Sequence, residues 1–269
     1  MSGRPHLDVT LRSSIKDTAI EAARAAGAIL QERARLGFRI EHKNAVNLVT
    51  DADTQAEQAI IERIREAHPE HQILAEEQGI VVQNDSSYKW VIDPLDGTTN
   101  FAHGFPAYCV SIGVEYQGSC ILGVVFDPTR QELFVGETGS GAFLNDQPIR
   151  VSQTASLNAA LVVTGFGYDI RETSNNNLDY FARFALRAQG VRRMGAAALD
   201  LCYVASGRLD GYWELKLHPW DTAAGVVIVE EAGGQVTDLQ GNPYSIYGTG
   251  IVASNGQFHN EMVDVLRHG

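Results

Sequence analysis

The spacing of apolar residues along this chain predicts helices and strands in alternation. Between residues 13 and 35, apolar side chains recur at intervals of three and four, which is typical of one buried face of a helix. Short apolar runs at residues 73–75 and 90–92 instead predict buried strands. Between residues 108 and 136, β-rich segments separated by turn residues predict a mostly antiparallel sheet.

The second half of the chain continues the alternation with shorter elements. It predicts strands at residues 161–164, 209–215 and 250–253, and helices at residues 178–188, 196–201, 223–232 and 257–266. This order indicates an α+β or layered α/β architecture. We expect an α+β half in residues 1–150 and an α/β half in residues 151–269, packed along a shared face as a single unit.

Composition excludes several classes of function. Of the 269 residues, 44% are hydrophobic, which is enough to build a large core. The formal net charge of −12 argues against sequence-independent binding to nucleic acid, which requires a basic surface. We therefore expect no nucleic-acid partner. The acidic balance fits a pocket that recruits cations, and a generally acidic surface explains it equally well.

Neither a disulfide framework nor a membrane span is expected. Cys109, Cys120 and Cys202 lie far apart among apolar residues, which favours buried reduced thiols over zinc ligands or disulfides. The first 30 residues lack the continuous apolar segment of a signal peptide. No run reaches the roughly 18–20 apolar residues that a membrane span requires. The expected location is the cytoplasm, without a membrane partner.

Residues 90–101 combine a strand, two carboxylates and a helix start. The strand delivers Asp93 and Asp96, and Pro94 between them is expected to end it because proline has no N–H and a fixed φ. Gly97 then permits a turn, and the Thr-Thr-Asn sequence after it is typical of a helix start. Carboxylates suit hard cations such as Mg²⁺, and N–H groups at a helix start suit an anion. The segment therefore predicts a place where a cation and a phosphate meet.

Asp53 lies at a second junction between predicted elements. It follows Thr50 where a strand gives way to a helix, and the two residues fit a capping pattern. A calcium-binding loop that begins at Asp51 is excluded, because Ala56 stands where such a loop requires glycine. The position is notable because catalytic groups are commonly presented at strand-to-helix junctions.

Glu76 and Asp221 occupy similar junctions. Glu76 follows the strand at residues 73–75 and would share a cation with Asp93 if the two strands are neighbours. Asp221 precedes the helix at residues 223–232, where an aspartate is an ordinary N-cap. Each acid alone is explained by caps and turns, but together, and without a His/Cys pattern, they indicate an oxygen-ligand metal site. Like charges gathered in one place are costly unless cations neutralise them.

Several segments resemble the signatures of the inositol monophosphatase family. They are Asn-Leu-Val-Thr-Asp-Ala-Asp at residues 47–53, Glu76-Glu77, Asp-Pro-Leu-Asp-Gly-Thr-Thr-Asn-Phe at residues 93–101, Trp-Asp-Thr-Ala-Ala-Gly at residues 220–225, and Glu-Glu-Ala-Gly-Gly at residues 230–234. The resemblance implies an αβαβα sandwich of the sugar-phosphatase type, commonly a homodimer. It also implies Mg²⁺-dependent, lithium-sensitive hydrolysis of a small phosphorylated polyol or sugar, above all inositol-1-phosphate.

The resemblance further implies roles for individual residues. The metal ligands would be the side chains of Glu76, Asp93, Asp96 and Asp221 and the carbonyl oxygen of Leu95. The catalytic residues that orient or deprotonate the attacking water would be Asp53, Glu76 and Thr98. The substrate-binding residues would be Asp96, Gly97, Thr98, Gly195, Ala196, Ala197, Glu214 and Asp221, with the N–H groups of Gly97 and Thr98 on the phosphate. The first half would thus carry the metal site and the second would complete the substrate pocket.

Two positions depart from the family pattern. Ala75 stands where glycine usually precedes the paired glutamates, and Ala196 stands where serine or threonine is common, which bears on substrate preference. Lys43 resembles a family lysine near the site and is assigned no role. Because a fold does not fix a function, fructose-1,6-bisphosphate, an adenosine bisphosphate and histidinol phosphate remain alternative substrates. A regulatory or interaction role, and a structural domain whose acids only cap helices, are alternative functions.

Overall fold

A computed structural model describes residues 9–42 and 48–268 of the chain. The helices are α1 (Val9–Leu36), α2 (Asp51–Ala67), α3 (Thr98–Ala102), α4 (Leu178–Ala185), α5 (Ala197–Ala205), α6 (Pro219–Glu231) and α7 (His259–His268). The strands are β1 (Ile40–His42), β2 (Leu48–Thr50), β3 (Gln72–Ala75), β4 (Gly79–Val82), β5 (Tyr88–Asp96), β6 (Cys109–Tyr116), β7 (Ser119–Asp127), β8 (Glu132–Glu137), β9 (Gly141–Leu144), β10 (Gln147–Pro148), β11 (Leu161–Thr164), β12 (Gly190–Arg192), β13 (Gly211–Leu215), β14 (Gln235–Thr237) and β15 (Gly250–Ser254).

The strands form two large mixed sheets and one small antiparallel pair, β1 with β2. The first sheet has the order β10-β9-β8-β7-β6-β5-β3-β4, and its neighbours are antiparallel except for β3 beside β5. The second sheet has the order β12-β11-β13-β15-β14, with β11 parallel to both of its neighbours. The antiparallel run predicted for the middle of the chain is therefore confirmed.

Helices and sheets stack in five layers, in the order αβαβα. α1 and α2 cover one face of the first sheet, around a core that includes Trp90. α5 and α6 fill the space between the sheets, where Leu201 and Ile228 are fully buried. α4 and α7 cover the outer face of the second sheet, where Phe184 stacks on Trp213 with 3.8 Å between ring centroids. The predicted sandwich architecture is confirmed.

Pro94 does not end its strand, and that expectation is wrong. β5 continues to Asp96, and its register against β6 shifts between Asp93, opposite Ser111, and Asp96, opposite Cys109. Three steps along β5 therefore match two along β6, which is a bulge of one residue. A bulge accommodates proline because a residue left out of the ladder needs no N–H.

The helix predicted at residues 223–232 begins earlier than expected. α6 starts at Pro219, because the first turn of a helix has no intrahelical partner for the N–H that proline lacks. Asp221 consequently lies inside the first turn, and its interpretation as an N-cap is wrong.

Five of the short strands were not predicted, namely β4, β9, β10, β12 and β14. Each has two to four residues, too few to show an alternating pattern. β3 and β11 are also short, but a continuous apolar run indicated each of them. The sequence also predicts strands at residues 38–43 and 46–49, separated by a turn at Asn44-Ala45. β1 and β2 correspond to these two strands, whereas Lys43, the turn and Val46 fall outside the described residues.

The cysteines are free thiols, as expected. Cys109 and Cys202 are buried, whereas Cys120 is half-buried. Burial raises the pKa of Cys120 to about 12, which keeps that thiol protonated at neutral pH. Within residues 9–42 and 48–268, no helix combines the length and apolar character needed to cross a bilayer.

A row of three glycines lets α6 lie close to the first sheet. Gly113, Gly123 and Gly136 are paired side by side across β6, β7 and β8. A Cβ at Gly123 would lie 2.1 Å from the carbonyl oxygen of Ala224, and one at Gly136 would lie 2.7 Å from a Cα of α6. Because α6 carries Asp221 near its start, the glycine row helps to position a predicted site residue.

We expect Gly123→Ala to lower the melting temperature by several degrees, because the new methyl group would force α6 away from the sheet. Overpacking of this kind costs roughly 1–3 kcal/mol. For a chain of this size, each kcal/mol corresponds to roughly 2–4 °C. Scanning calorimetry measures the change, and Ser119→Ala, at the exposed start of the same strand, is the control. An unchanged melting temperature in Gly123→Ala would show that α6 does not depend on the row.

Candidate active site

Predicted site residues from both halves of the chain meet at one cavity. The cavity has a volume of about 540 Å³ and lies where β3 and β5 end and α5 and α6 begin. Its wall includes Glu76, Asp93, Leu95, Asp96, Gly97, Thr98, Gly195, Ala196, Ala197, Glu214 and Asp221. Asp53 lies behind this wall, fully buried, and contacts it through Thr98.

The parallel pairing of β3 with β5 places Glu76 beside Asp93. Ala75 lies opposite Ile92 in the register, and the N–H of Glu76 donates to the carbonyl oxygen of Ile92 at 3.1 Å. The next residue of each strand is an acid, so the two carboxyls lie close together. Burial, together with neighbouring carboxylates, raises the pKa of Asp93 well above its ordinary value. The sequence analysis made a cation shared by Glu76 and Asp93 conditional on their strands being neighbours. β3 and β5 are neighbours, so this condition is met.

Glu57 holds the turn that carries Glu76, and sequence reasoning missed it. Glu57 is fully buried, and its two carboxylate oxygens accept hydrogen bonds from the N–H of Glu77 at 2.8 Å and of Gln78 at 3.1 Å. It lies four residues after Asp53 on α2, so the two acids share one face of the helix. The spacing of four residues between Asp53 and Glu57 was the feature of the sequence that could have identified Glu57. Burial raises the pKa of Glu57 above its ordinary value.

Asp53 is oriented by the start of α2. Its Oδ2 accepts hydrogen bonds from the Thr50 N–H at 2.8 Å and the Thr50 hydroxyl at 2.6 Å, which confirms the predicted capping pattern. Thr98 Oγ1 lies 3.3 Å from Asp53 Oδ1 and 3.1 Å from the Leu95 carbonyl oxygen, so its one proton goes to either acceptor. Burial, partly offset by the bonds from Thr50, raises the pKa of Asp53 to about 6. Such a carboxyl can accept and release a proton near neutral pH.

Asp96 is held by the N-terminus of α5. The N–H groups of Ala197 and Ala198 donate to its two carboxylate oxygens at 3.2 and 2.7 Å. The N-cap of α5 is Ala196, which offers no side-chain hydrogen bond, so Asp96 supplies the cap from the first sheet. Burial raises the pKa of Asp96 to about 6, although these hydrogen bonds lower it. The thiol of Cys109 also donates to Asp96, at 3.7 Å.

Asp221 and Glu214 reach the cavity from the second half of the chain. Asp221 Oδ2 accepts a hydrogen bond from the N–H of His218 at 2.6 Å, which fixes the acid to the first turn of α6. Glu214 lies on β13, where the hydroxyl of Tyr212 donates to its Oε2 at 2.8 Å. Burial raises the pKa of Glu214 to about 7 and that of Asp221 well above its ordinary value.

The donors of the cavity fit a hard divalent cation by their chemistry. They are carboxylate oxygens and the carbonyl of Leu95, which are the ligands that Mg²⁺ prefers. In the part of the chain that the structure describes, no three His, Cys, Asp or Glu side chains are arranged around one point so as to hold an ion. Asp96 and Asp221 each direct a carboxylate oxygen to a backbone N–H group, of Ala198 and His218 respectively.

The outer wall of the cavity consists of residues that sequence reasoning missed. They are aromatic or charged: Phe166, Tyr168, Asp169, Arg193, Lys216, His218 and Trp220. The His218 ring stacks on Trp220 with 4.8 Å between centroids. Most of these residues follow β11 or β13, in loops where no periodicity marks a position. The His-Pro-Trp run beside Asp221 was a local signal for the last two.

We expect the melting temperature of the magnesium-free protein to fall as the pH rises from about 6.5 to 8.5. Burial raises the pKa of Glu214 from 4.5 to about 7, so the stability that its proton contributes is fully present below pH 4.5 and lost through pH 7. The raised pKa values of Asp93 and Asp221 act in the same direction. The buried histidines, whose pKa values are lowered, oppose it only below their ordinary pKa of 6.5.

Scanning calorimetry in a chelating buffer measures this dependence. Glu214→Gln should flatten the fall, whereas Glu66→Gln, at an exposed position of α2, should leave it unchanged. Added Mg²⁺ should raise the melting temperature more at the alkaline end, where the carboxyls are ionised. A melting temperature that stays constant across this pH range would contradict the expected protonation of the site.

Comparison with known proteins identifies relatives over nearly the whole chain. The model of the inositol monophosphatase family matches residues 11–268. The chain is 50% identical over 251 residues to the inositol-1-monophosphatase of Synechocystis, which covers 93% of this chain and 88% of that protein. It is 44% identical over 255 residues to a protein of Pseudomonas aeruginosa named Nus factor SuhB, which covers 93% of this chain and 94% of that protein.

Solved structures share the fold as well as the sequence. The inositol monophosphatase from Anabaena (Nostoc) superimposes with a TM-score of 0.88 at 47% identity, over 96% of this chain and 97% of that chain. Sequence, fold and the acid-lined cavity thus agree, and the chain belongs to the inositol monophosphatase family of phosphatases.

Proposed function

We propose that this phosphatase uses Mg²⁺ and that its substrate is inositol-1-phosphate. The observation that carries the proposal is that Glu76, Asp93, Asp96 and Asp221 meet at one cavity. Asp53 lies directly behind Thr98 in the wall of that cavity. The identity of 50% to a protein named inositol-1-monophosphatase supports the choice of substrate.

Mg²⁺ would be held by Glu76, Asp93, Asp96, Asp221 and the carbonyl oxygen of Leu95. When bound, the cation supplies positive charge that neutralises the phosphate and polarises its oxygens. Carboxylates that are buried together gain from such a charge because it offsets their mutual repulsion.

Asp53 and Thr98 would handle the proton of the attacking water. When the Thr98 hydroxyl donates to Asp53 Oδ1, at 3.3 Å, its own oxygen can accept a hydrogen bond from water. The water proton then passes to Thr98 Oγ1 as the Thr98 proton passes to Asp53, whose pKa of about 6 lets it hold the proton briefly. Glu76, half-buried at the cavity, would orient the same water.

The remaining wall residues would bind the substrate. The N–H groups of Gly97 and Thr98, where α3 begins, would hold the phosphate. Carboxylates accept hydrogen bonds from hydroxyls, so Glu214 and Asp221 would bind the polyol. The adjoining wall has small residues that leave room for a ring, namely Gly195, Ala196 and Ala197.

We expect Asp93→Asn to abolish turnover of inositol-1-phosphate, a loss of at least about 100-fold. The amide keeps the size of the side chain and an oxygen for the Leu95 N–H, now 3.0 Å from Asp93 Oδ1, but it removes the negative charge. Release of inorganic phosphate measures activity, and circular dichroism checks the fold. Asp85→Asn, in the exposed loop before β5, is the control and should keep full activity. Full activity in a folded Asp93→Asn protein would refute the proposal.

A panel of phosphate esters tests the choice of substrate. Turnover of inositol-1-phosphate, fructose-1,6-bisphosphate and an adenosine bisphosphate is measured with and without Mg²⁺. We expect inositol-1-phosphate to have the highest kcat/KM, and its turnover to require Mg²⁺ and to be inhibited by lithium. A higher kcat/KM for another ester would reject the substrate, and no turnover of any ester with Mg²⁺ would reject the enzymatic proposal.

The second candidate function is a regulatory or interaction role, in which the protein binds a partner. It is favoured by the identity of 44% to a protein named Nus factor SuhB. Because the acids of the cavity are all present in this chain, such a role would accompany phosphatase activity rather than replace it.

A further inference from the structure

An ion pair forms part of the outer wall of the cavity. Lys216 Nζ lies 2.5 Å from Asp169 Oδ2, and both residues line the cavity. Asp169 lies in the loop after β11, and Lys216 directly follows β13. Because these two strands are parallel neighbours, their carboxyl ends bring the two side chains to the same edge of the second sheet.

The pair is built into the fold. Lys216 has a φ of 60°, which is uncommon for lysine, and its N–H donates to the carbonyl oxygen of Thr249 at 2.9 Å. A Cβ at Gly167 would lie 2.8 Å from Asp169 Oδ1 and 3.7 Å from Lys216 Cδ, so the loop packs against both members. The side chains of Lys216 and Asp169 are 29% and 43% exposed, so water screens the pair only in part.

This pair determines the charge that a substrate meets at the outer wall. Among the described wall residues, Arg193 and Lys216 carry permanent positive charges. The charge of Arg193 acts on the buried acids Asp200 and Glu214, where it opposes the rise in their pKa values. The charge of Lys216 is neutralised by Asp169. The Lys216 ammonium is therefore already paired when a second phosphate reaches it.

We propose that Asp169 is a specificity-determining residue: by holding the Lys216 ammonium, it makes the cavity select sugar and polyol monophosphates over bisphosphates. A substrate whose reacting phosphate binds at Gly97 and Thr98 directs its far end toward the outer wall. A second phosphate there meets the Asp169 carboxylate and must break the ion pair before it gains the ammonium. A neutral hydroxyl meets no such repulsion. This inference rests on the proposed phosphatase function and names the substrate class of the same site.

The test compares kcat/KM for fructose-1,6-bisphosphate with kcat/KM for inositol-1-phosphate in the wild type, Asp169→Asn, Lys216→Asn and the double variant. Asparagine keeps the size of residue 169 and tolerates the positive φ at residue 216. In Asp169→Asn the Lys216 ammonium is released. We expect the ratio of kcat/KM for the bisphosphate to kcat/KM for the monophosphate to rise roughly fivefold, because a partly exposed charge contact contributes about that factor. Lys216→Asn should not raise the ratio, and the double variant should return to within about twofold of the wild type.

Asp179→Asn, an exposed aspartate on α4, is the matched control and should leave the ratio unchanged. An unchanged ratio in Asp169→Asn overturns the inference. A raised ratio that persists in the double variant also overturns it, because Lys216 is then not the group released. A purely structural pair would lower kcat/KM for both esters alike and leave their ratio constant.

The experiment distinguishes failure of the proposed phosphatase function from failure of the specificity role of Asp169. If the wild type hydrolyses neither ester, the proposed phosphatase function fails, and titration calorimetry of both esters with Mg²⁺ present then tests the pair. Asp169→Asn should bind the bisphosphate roughly fivefold more tightly, relative to the monophosphate, than the wild type does. Equal relative affinities in the two proteins overturn the inference.

Discussion

The whole site depends on electrostatic repulsion that the fold holds in place. Its buried acids have raised pKa values, because burial disfavours the charged form. Neighbouring carboxylates add to the rise for Asp93, Glu214 and Asp221. Acids on flexible loops would move apart, but here each is tied to a regular element. Asp96 accepts two N–H groups of α5, and Asp93 accepts the N–H of Leu95. A cavity that keeps such charges together is one that favours cations.

The contacts that place the acids also join the two sheets. Asp96 belongs to the first sheet and caps a helix that packs between the sheets. Asn100 acts nearby, since its amide donates to the carbonyl oxygens of Ala107 at 2.7 Å and Met194 at 2.8 Å. The glycine row brings α6, with Asp221, against the same sheet. The same contacts therefore join the two sheets and position the residues of the site.

Local signals in the sequence predicted a layered α/β or α+β architecture and the inner acids, whereas the five-layer sandwich was predicted from the family resemblance. Trp90 to Asp96 is a long apolar strand that ends in acids, and Thr50 with Asp53 forms a cap within four residues. The outer wall left no such signal, since Asp169 and Lys216 are 47 residues apart and meet only through strand pairing. Glu57 likewise acts on a turn 20 residues away. Where a role depends on a distant partner, periodicity cannot reveal it.

The bulge at Pro94 decides which way the acids of β5 face. Side chains alternate between the two sides of a strand, so residues an odd number of positions apart point in opposite directions. Asp93 and Asp96 are three positions apart, yet both line the same cavity, because the extra residue reverses the parity. Inserting one residue between them would reverse the parity again and turn one carboxylate away from its neighbours. Deleting one residue would keep both carboxylates on the same side, but it would remove the bulge that accommodates Pro94.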